Sequence, residues 1–557
     1  MTVAPEAWDP LHAASPPGRL WSRANIGEAL PGVLTPLTWD LWEVAAEGAA
    51  RQAFYALGAA TRQERLVPAD RDQRFARAFY GRGAVQLDFL CGMGDRIPGT
   101  SGAAIAEQIF GSAPESIRGA RTRRRYPIIA ARMPYTFFRI PSVLRCVAAE
   151  TEGWWRRQIA AAPGLDQAGA VRLFSESTAR FRHNVALQAT TLFCVVQPIY
   201  DVLERLTTSA GVGDMTSLAG GYGSVPETAV VADLWRASRG EIDLSAVVER
   251  NGFHGPREGE LMSQVWREDD SPLRRLVTEY ALMDETRNPL RREAGVREHR
   301  AELEREILAA LPAVRRPLAR RVLRTASRVI PLRGIAKDSF LQASDTIRAS
   351  ARRIGELLAA DGTIAARDDV FFLCENEIAG RRPDDIRGLI QRRRERYDHY
   401  LTVEVPSRWQ GDPIPVPLSV NDESPSATIN GVGVSPGVVE GLARVVTDPG
   451  CSEVEPGEIL VTPATDPSWS SIMFISAALV VDIGGALSHA AIVARELAVP
   501  CVVNTKTGSR CIRTGDRLRV DGTTGTVTVL ERGSSGGRSD MRPDPGADTP
   551  AGTVASS

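Results

Sequence analysis

The hydrophobic pattern changes character once along the chain, at a proline-rich segment between Val405 and Pro425. Before it, apolar residues recur three and four positions apart, as at Leu303, Ile307 and Leu311, which is the spacing of an amphipathic helix. After it, short β-branched runs are bounded by glycine, proline and aspartate, which is typical of strands. The chain is therefore predicted to be a multidomain α+β protein.

These pattern changes divide the chain into five predicted segments. Residues 1–20 are expected to form an irregular leader, and residues 21–404 a large, mainly α-helical domain. Residues 405–424 are predicted to be a semi-rigid proline-rich linker. Residues 425–532 are predicted to fold as a compact β/β/α domain, and residues 533–557, rich in glycine, serine, proline and aspartate, as a disordered tail.

Composition excludes several classes of protein. A net charge of -1 over 557 residues argues against a nucleic-acid partner, which normally requires a basic domain or stripe. The seven cysteines include no CxxC pair, so the sequence predicts reduced thiols and no metal site. The N-terminus lacks a signal-peptide pattern, and the most apolar stretch, 472–481, is too short to span a membrane. We therefore expect a soluble cytoplasmic protein with no membrane partner.

Lysine is almost absent from the chain. Of 67 basic residues, only Lys337 and Lys506 are lysines, and no GxxxxGK[ST] loop occurs. Because nucleotide sites commonly place a lysine on phosphate, a self-contained ATP-binding domain is difficult to locate here.

The stretch GGALSHAAIVARELAVPCVVN, residues 484–504, has the residue pattern of an anion site. A strand is predicted to end at Gly484 and Gly485, and His489 lies where a helix begins. Free N–H groups and the dipole at a helix N-terminus stabilise an anion, and glycines let the backbone approach it. A neutral imidazole at this position could accept a phosphoryl group. By spacing alone, an ordinary exposed histidine beside a helix cap explains the pattern equally well.

The same stretch resembles the phosphohistidine swivelling domain of phosphoenolpyruvate-utilising enzymes. GGALSHAAIVARELAVP, TGDRLRVDGTTGTVTVL and, upstream, GVGVSPGVVEGLARV follow the motifs of that family over residues 425–530. The resemblance implies that His489 is the phosphorylated residue. It also places Gly484, Gly485 and Ser488 in the phosphate-binding loop.

The N-terminal part resembles a second group within that family. WSRANIGEALPGVLTPLTWDLW, residues 21–42, is similar to the start of the domain that follows the ATP-grasp unit in rifampin phosphotransferase-like proteins. Some relatives, such as the phenylphosphate and 4-methylbenzyl phosphate synthases, carry the ATP-grasp unit on a separate chain. The resemblance therefore implies an ATP-grasp partner subunit in trans, which would supply ATP and Mg²⁺; this chain is expected to bind neither by itself.

Residues 21–404 are expected to bind the acceptor. The family commonly shows a Gly-His-Arg-Gly-Pro-x-Glu motif, and here Gly252–Glu258 reads GFHGPRE. Glu258 or His254 could orient or deprotonate an acceptor hydroxyl, and Arg257 could neutralise phosphoryl oxygens. A turn between helices held by a Glu–Arg pair is the alternative.

Taken together, these observations predict the phosphohistidine-carrying subunit of a two-component, ATP-dependent phosphotransferase of the dikinase type. His489 would pass a phosphoryl group to a hydroxyl of a small organic molecule, aromatic or a natural product. The residues that bind this molecule are not identified by the sequence. Two alternatives stay open: a phosphate relay or regulatory partner without small-molecule turnover, and a scaffold with a vestigial His489.

Overall fold

The structure, a computed structural model, describes most of the chain. The residues it describes are 8–23, 26–110, 121–212, 218, 220–222, 226–380, 382–417, 428–447, 454–465, 469–485 and 488–533. The predicted disordered tail from residue 534 onward lies outside this part of the chain, as do residues 418–427 of the predicted linker.

The N-terminal part is mainly helical, as the sequence predicts. Its helices are α1 (Ile26–Ala29), α2 (Pro36–Leu57), α3 (Leu87–Gly94), α4 (Gly102–Phe110), α5 (Tyr126–Ala161), α6 (Gln167–Thr191), α7 (Gln197–Ala210), α8 (Pro226–Ser238), α9 (Leu244–Asn251), α10 (Ser271–Ala281), α11 (Pro289–Ala310), α12 (Arg316–Val329), α13 (Leu332–Ala360), α14 (Glu375–Ala379) and α15 (Ile386–Leu401).

Helix α13 lies at the centre of this part and packs against α5 and α6. Ala343, Ile347 and Ala351 have no exposed surface, so the helix buries apolar residues as a core element does. The buried Asp345 is satisfied because Trp155 Nε1 donates to it at 2.8 Å and Arg267 forms an ion pair with it. The first part of α13 is thereby held rigidly.

A small sheet accompanies these helices and was not predicted from the sequence. Its strand order is β2 (Ala76–Phe79), β3 (Arg82–Gln86), β1 (Leu20–Ser22), β5 (Arg408–Gln410). The β2–β3 hairpin turns through Tyr80 and Gly81, both with positive φ, as in a type I′ turn. A tyrosine occupies the first turn position, where Asn or Asp is usual, so the sequence does not mark these residues as a β-hairpin.

The segments predicted as leader and linker contribute to this packing. Leu11 is buried, and the Ala13 N–H donates to the Ala78 carbonyl at 2.9 Å. Strand β5 pairs with β1, and β4 (Val403–Glu404) pairs with β6 (Val416–Pro417). The first half of the predicted linker is thus attached to the helical part.

The C-terminal part is an eight-stranded sheet with short helices. The strand order is β7-β14-β13-β9-β10-β11-β12-β8, and β9, β10, β11 and β12 are parallel neighbours. The strands are β7 (Thr428–Asn430), β8 (Val432–Ser435), β9 (Val438–Val445), β10 (Ile459–Thr462), β11 (Ala478–Val481), β12 (Cys501–Val503), β13 (Arg517–Asp521) and β14 (Thr526–Glu531). The helices are α16 (Ser470–Ile475), α17 (His489–Glu496) and α18 (Gly508–Cys511).

The helical and C-terminal parts share one hydrophobic cluster. Trp235 and Tyr280 from α8 and α10 pack with Phe474 of α16, and all three are buried. The Tyr280 hydroxyl also donates to the Ser471 carbonyl at 3.0 Å. In this arrangement the C-terminal part is docked on the helical part.

One helical segment passes a compositional test for crossing a membrane. Residues 167–210 contain an 18-residue window of mean hydropathy 1.3, and half of that window is buried inside the protein. Helix α6, within this segment, packs against α2 and α13. The expectation that no stretch is long and apolar enough is therefore corrected, although core helices of water-soluble proteins meet the same criterion.

Candidate functional site

His489 is the first residue of α17, at the C-terminal edge of the parallel strands. Ser488 is the N-cap, and its hydroxyl accepts the Ala491 N–H at 3.4 Å. A Cβ at Gly484 would lie 3.0 Å from the Ser488 hydroxyl, so glycine is required for the loop to pass this close. Gly485 is exposed, and nothing lies within 4 Å of a Cβ there. The backbone at Gly485 is therefore open to a bound anion.

The two ring nitrogens of His489 have different surroundings. Nδ1 is hydrogen-bonded to the Thr465 hydroxyl at 3.1 Å. Nε2 is buried and has no hydrogen-bond partner among the described residues. Burial lowers the pKa of His489 well below its usual value, and the nearby cations Lys337 and Arg333 lower it further. The imidazole is thus neutral near pH 7, and Nε2 is the nucleophilic nitrogen of the tautomer in which Nδ1–H donates to the Thr465 hydroxyl.

The cations that face His489 come from the helical part. Arg333 and Lys337 lie one turn apart near the start of α13. Tyr200 of α7 is hydrogen-bonded to Arg333, and Lys337 Nζ lies 3.5 Å from a carboxylate oxygen of Glu258. Docking therefore places the predicted phosphate carrier against two positive charges that adjoin the predicted acceptor motif.

Within that motif, His254 and Glu258 form a buried pair. Their Nδ1 and Oε1 atoms are 2.5 Å apart, and His254 Nε2 lies 3.8 Å from Asp338. Burial alone would lower the pKa of His254, but Glu258 and Asp338 raise it above its usual value. Burial would raise the pKa of Glu258, but Lys337 and His254 lower it. The pair is thus a charged imidazolium and carboxylate.

Glu260, two residues after the motif, attaches it to the start of α2. Its carboxylate accepts the Thr35 N–H at 2.9 Å and the hydroxyls of Thr35 and Thr38 at 2.7 Å. Arg348 of α13 donates to the carbonyls of Glu260 and Leu261. Because α13 carries both Arg348 and Lys337, the same helix holds the backbone at Glu260 and places a cation beside Glu258.

The structure does not bring Arg257 into this group of contacts. Its guanidinium donates to the Val33 carbonyl at 3.0 Å, and its backbone has a φ of 55°. Arg257 also lies beside Tyr397 and influences the pKa of that residue. The Glu–Arg turn that served as the alternative interpretation is replaced, at Glu258, by the His254 and Lys337 pairs.

The aromatic residues of the helical part are mostly buried in its core. Trp39, Trp42, Trp154 and Trp155 are all buried, whereas Phe138 is 77% exposed. Within the described ranges, no three His, Cys, Asp or Glu side chains are grouped as a metal site requires.

Sequence reasoning missed Lys337, Arg333 and Thr465. A usable signal existed for Lys337, because it is one of only two lysines in the chain. For Arg333 and Thr465 no local pattern distinguishes them from neighbouring residues.

Comparison with known proteins agrees with this geometry. Residues 454–525 match the family described as the mobile domain of PEP-utilising enzymes, and residues 241–334 match the fourth domain of rifampicin phosphotransferase. The first segment contains His489, and the second contains His254, Glu258 and Arg333.

Three relatives illustrate the extent of the similarity. A rifampicin phosphotransferase from Streptomyces sp is 34% identical over 41% of this chain and 27% of its own length. The prodigiosin synthesizing transferase PigC from Serratia marcescens is 30% identical over 52% of this chain and 33% of its own length. An uncharacterised protein from Mycobacterium bovis is 35% identical over 41% of this chain and 28% of its own length.

In each case the match covers a third or less of the relative. The chain therefore contains one segment similar to the mobile domain of PEP-utilising enzymes and one similar to the fourth domain of rifampicin phosphotransferases.

Proposed function

We propose that this chain is the phosphohistidine-carrying component of an ATP-dependent phosphotransferase and that an ATP-grasp subunit in trans loads it. The observation that carries the proposal is the free Nε2 of His489, docked toward Lys337 and Arg333 beside the His254–Glu258 pair. The similarity to rifampicin phosphotransferases supports phosphoryl transfer as the reaction class.

In the first step, His489 would receive the β-phosphoryl group of ATP, with AMP and inorganic phosphate released after water takes the γ-phosphoryl group. ATP and Mg²⁺ belong to the partner in this proposal. In the docked arrangement Nε2 is buried, so loading requires the mobile domain to leave the helical part. The proline-rich linker predicted from the sequence, residues 405–424, is the segment on which the domain would swing.

In the second step, the mobile domain docks and the phosphoryl group moves to an acceptor hydroxyl. The Nε2–P bond breaks, its electron pair returns to the imidazole, and an O–P bond forms. Lys337 and Arg333 would stabilise charge on the transferring oxygens. Glu258 Oε2, which is ion-paired with Lys337 Nζ at 3.5 Å, is the group we assign to take the hydroxyl proton. The charged His254 would orient that carboxylate.

The acceptor is expected to be a small organic alcohol or phenol, and the compartment the cytoplasm. A phosphate relay without turnover of a small molecule is the second candidate. The Glu258–Lys337 contact favours the enzyme, because a relay needs no base beside the transfer site.

Labelling from ATP tests the proposal. Wild type and His489→Ala would be incubated with β-labelled or γ-labelled ATP, with and without lysate from the source organism. Acid-labile, alkali-stable label from the β position, present only with lysate and only in wild type, is the expected result. No label under any condition would contradict the carrier role and favour a scaffold with a vestigial His489.

A further inference from the structure

We infer that Glu496 is a positioning residue: its carboxyl group holds the end of α17 opposite His489 on the helical part, through the backbone N–H of Gly221. This inference deepens the proposed function, because it identifies what aligns His489 with Lys337 and Arg333.

The contact joins one side chain to one backbone donor across the two parts of the chain. Both oxygens of Glu496 accept the Gly221 N–H, at 3.0 and 3.1 Å, and the side chain is almost fully buried. A buried backbone N–H that lost this acceptor would be left unsatisfied, which is costly.

The Gly221 side of the contact is held rigidly. Its φ is 71°, and a Cβ there would lie 2.8 Å from the Val296 carbonyl oxygen of α11. Arg300 of α11 donates to the Gly221 carbonyl, and its guanidinium lies 4.3 Å from the Tyr222 ring centroid. The N–H is therefore presented to Glu496 in one fixed direction.

Helix α17 transmits this restraint to His489. Its eight residues span about 12 Å, and a single helix of that length moves as a rigid rod. A second contact supports the same end, because Arg292 donates to the Leu497 carbonyl at 3.3 Å and stacks on Phe474. Loss of the Glu496 contact would let the helix pivot and displace the imidazole from Lys337.

The charges around Glu496 make the contact depend on pH. The pKa of Glu496 is raised to about 7: burial is the largest cause and Glu293 of α11 adds to it, whereas the Gly221 N–H, Arg300 and Arg495 oppose the rise. Tyr200 and Tyr222 are the other titratable neighbours. An undocked Glu496 would have its usual value of 4.5. The contribution of Glu496 to docking is therefore strongest below that value, weakens as pH rises toward about 7, and stays constant above it. The lowered pKa of docked His489 acts in the opposite direction.

Fluorescence resonance energy transfer within the full chain measures docking directly. Cys146 on α5 is exposed and Cys511 on α18 is partly exposed, and Cys451→Ser would leave these two as the thiols available to dyes. In a His489→Ala background, which removes the opposing titration of that buried imidazole, the ratio of docked to undocked molecules should fall by roughly one to two orders of magnitude between pH 5 and 8.

Three variants separate positioning from a merely structural role. In the His489→Ala background, Glu496→Gln keeps a neutral acceptor for Gly221, so the fall in docking between pH 5 and 8 should disappear. Glu496→Ala removes the acceptor, so the ratio should fall at least tenfold at pH 5. Glu293→Gln leaves the contact intact but removes a neighbouring negative charge, so the midpoint should shift to lower pH.

Equal docking of His489→Ala with and without Glu496→Ala at every pH would overturn the inference. A fall in docking between pH 5 and 8 that is retained when Glu496→Gln is added to His489→Ala would also overturn it. Thermal unfolding of each variant checks that the mobile domain remains folded. The fluorescence measurement uses the unphosphorylated chain, so it can succeed while the labelling of His489 fails, and the two proposals stand or fall separately.

Discussion

At the scale of single residues, the chemistry of His489 depends on the difference between its two nitrogens. Thr465 engages Nδ1, and the cations of α13 act on a ring whose Nε2 is free. The same positive charges that keep the ring neutral would also stabilise a phosphoryl group bound to it. One electrostatic feature thus serves both the nucleophile and its phosphorylated product.

Removal of one of these cations should change the pKa of His489. Lys337→Met should raise the pKa of His489 toward its usual value, because a positive charge that disfavours the imidazolium is gone. Histidine-ring NMR as a function of pH measures this, with His489→Ala identifying the resonance. Lys506→Met, in the other lysine of the chain, is the matched control and should leave the pKa unchanged. An unchanged His489 titration in Lys337→Met would refute the placement of Lys337.

The buried His254–Glu258 pair should contribute to stability in a limited pH range. The pKa of His254 is raised, so its contribution is complete below its unfolded value and is lost as pH rises through the folded one. The pKa of Glu258 is lowered, so its contribution is lost only as pH falls below the unfolded value.

Glu258→Gln should therefore lower the free energy of unfolding by about 3–5 kcal/mol near pH 6. The loss should be smaller near pH 9, because the contribution of the imidazolium declines as pH rises through the raised pKa of His254. Denaturant unfolding at both pH values measures the difference. A loss of the same size at pH 6 and pH 9 would show that the charged pair is not the cause.

At the scale of secondary-structure elements, α13 organises the site because it packs closely on several sides. Gly355 marks its closest approach: a Cβ there would lie 2.1 Å from the Arg367 carbonyl oxygen and 3.2 Å from Val370. The same helix carries Arg333 and Lys337 at its other end. Displacement of α13 would therefore affect the site as well as the core.

Gly355→Ala should destabilise the protein by about 3 kcal/mol, because the backbone of residue 367 cannot move aside easily. Gly153→Ala is a matched control within α5, where the nearest atom is the flexible end of Arg157 at 3.5 Å. That control should instead stabilise the protein by about 0.5–1 kcal/mol, since alanine favours the helix. Thermal and denaturant unfolding compare the two variants, and equal effects would contradict the packing described for α13.

At the scale of the whole molecule, the docked state combines an apolar interface with a charged one. Trp235, Tyr280 and Phe474 form the apolar part, and Lys337 and Arg333 face His489. The apolar part is insensitive to phosphorylation, whereas a phosphoryl group on His489 adds negative charge opposite the two cations. Docking should therefore respond to the state of the carrier.

Phosphorylation of His489 should stabilise docking by roughly tenfold at low salt, and the gain should shrink as ionic strength rises. Chemical phosphorylation with phosphoramidate supplies the modified protein without the partner, and energy transfer between Cys146 and Cys511 measures docking. His489→Ala treated in the same way is the control. Weaker docking after phosphorylation would indicate that the observed arrangement is not the one used for transfer.

Much of this protein follows from local sequence. Helical periodicity before Val405 and β-branched runs after Pro425 predicted the α+β architecture, because each pattern reflects neighbours a few residues apart. The glycines, Ser488 and His489 predicted a histidine at a helix N-terminus for the same reason, and the structure places it there. The resemblance to PEP-utilising enzymes, confirmed by the family match, rests on that contiguous run.

Contacts between distant segments were decided only by the tertiary structure. Lys337 meets Glu258 because α13 packs beneath the 252–260 turn, and it faces His489 because the C-terminal part docks there. Arg257, next to Glu258 in sequence, contacts Val33 because its backbone adopts a positive φ. The Glu496–Gly221 contact likewise depends on docking. Such contacts arise from long-range packing and burial, and no pattern of neighbouring residues encodes them.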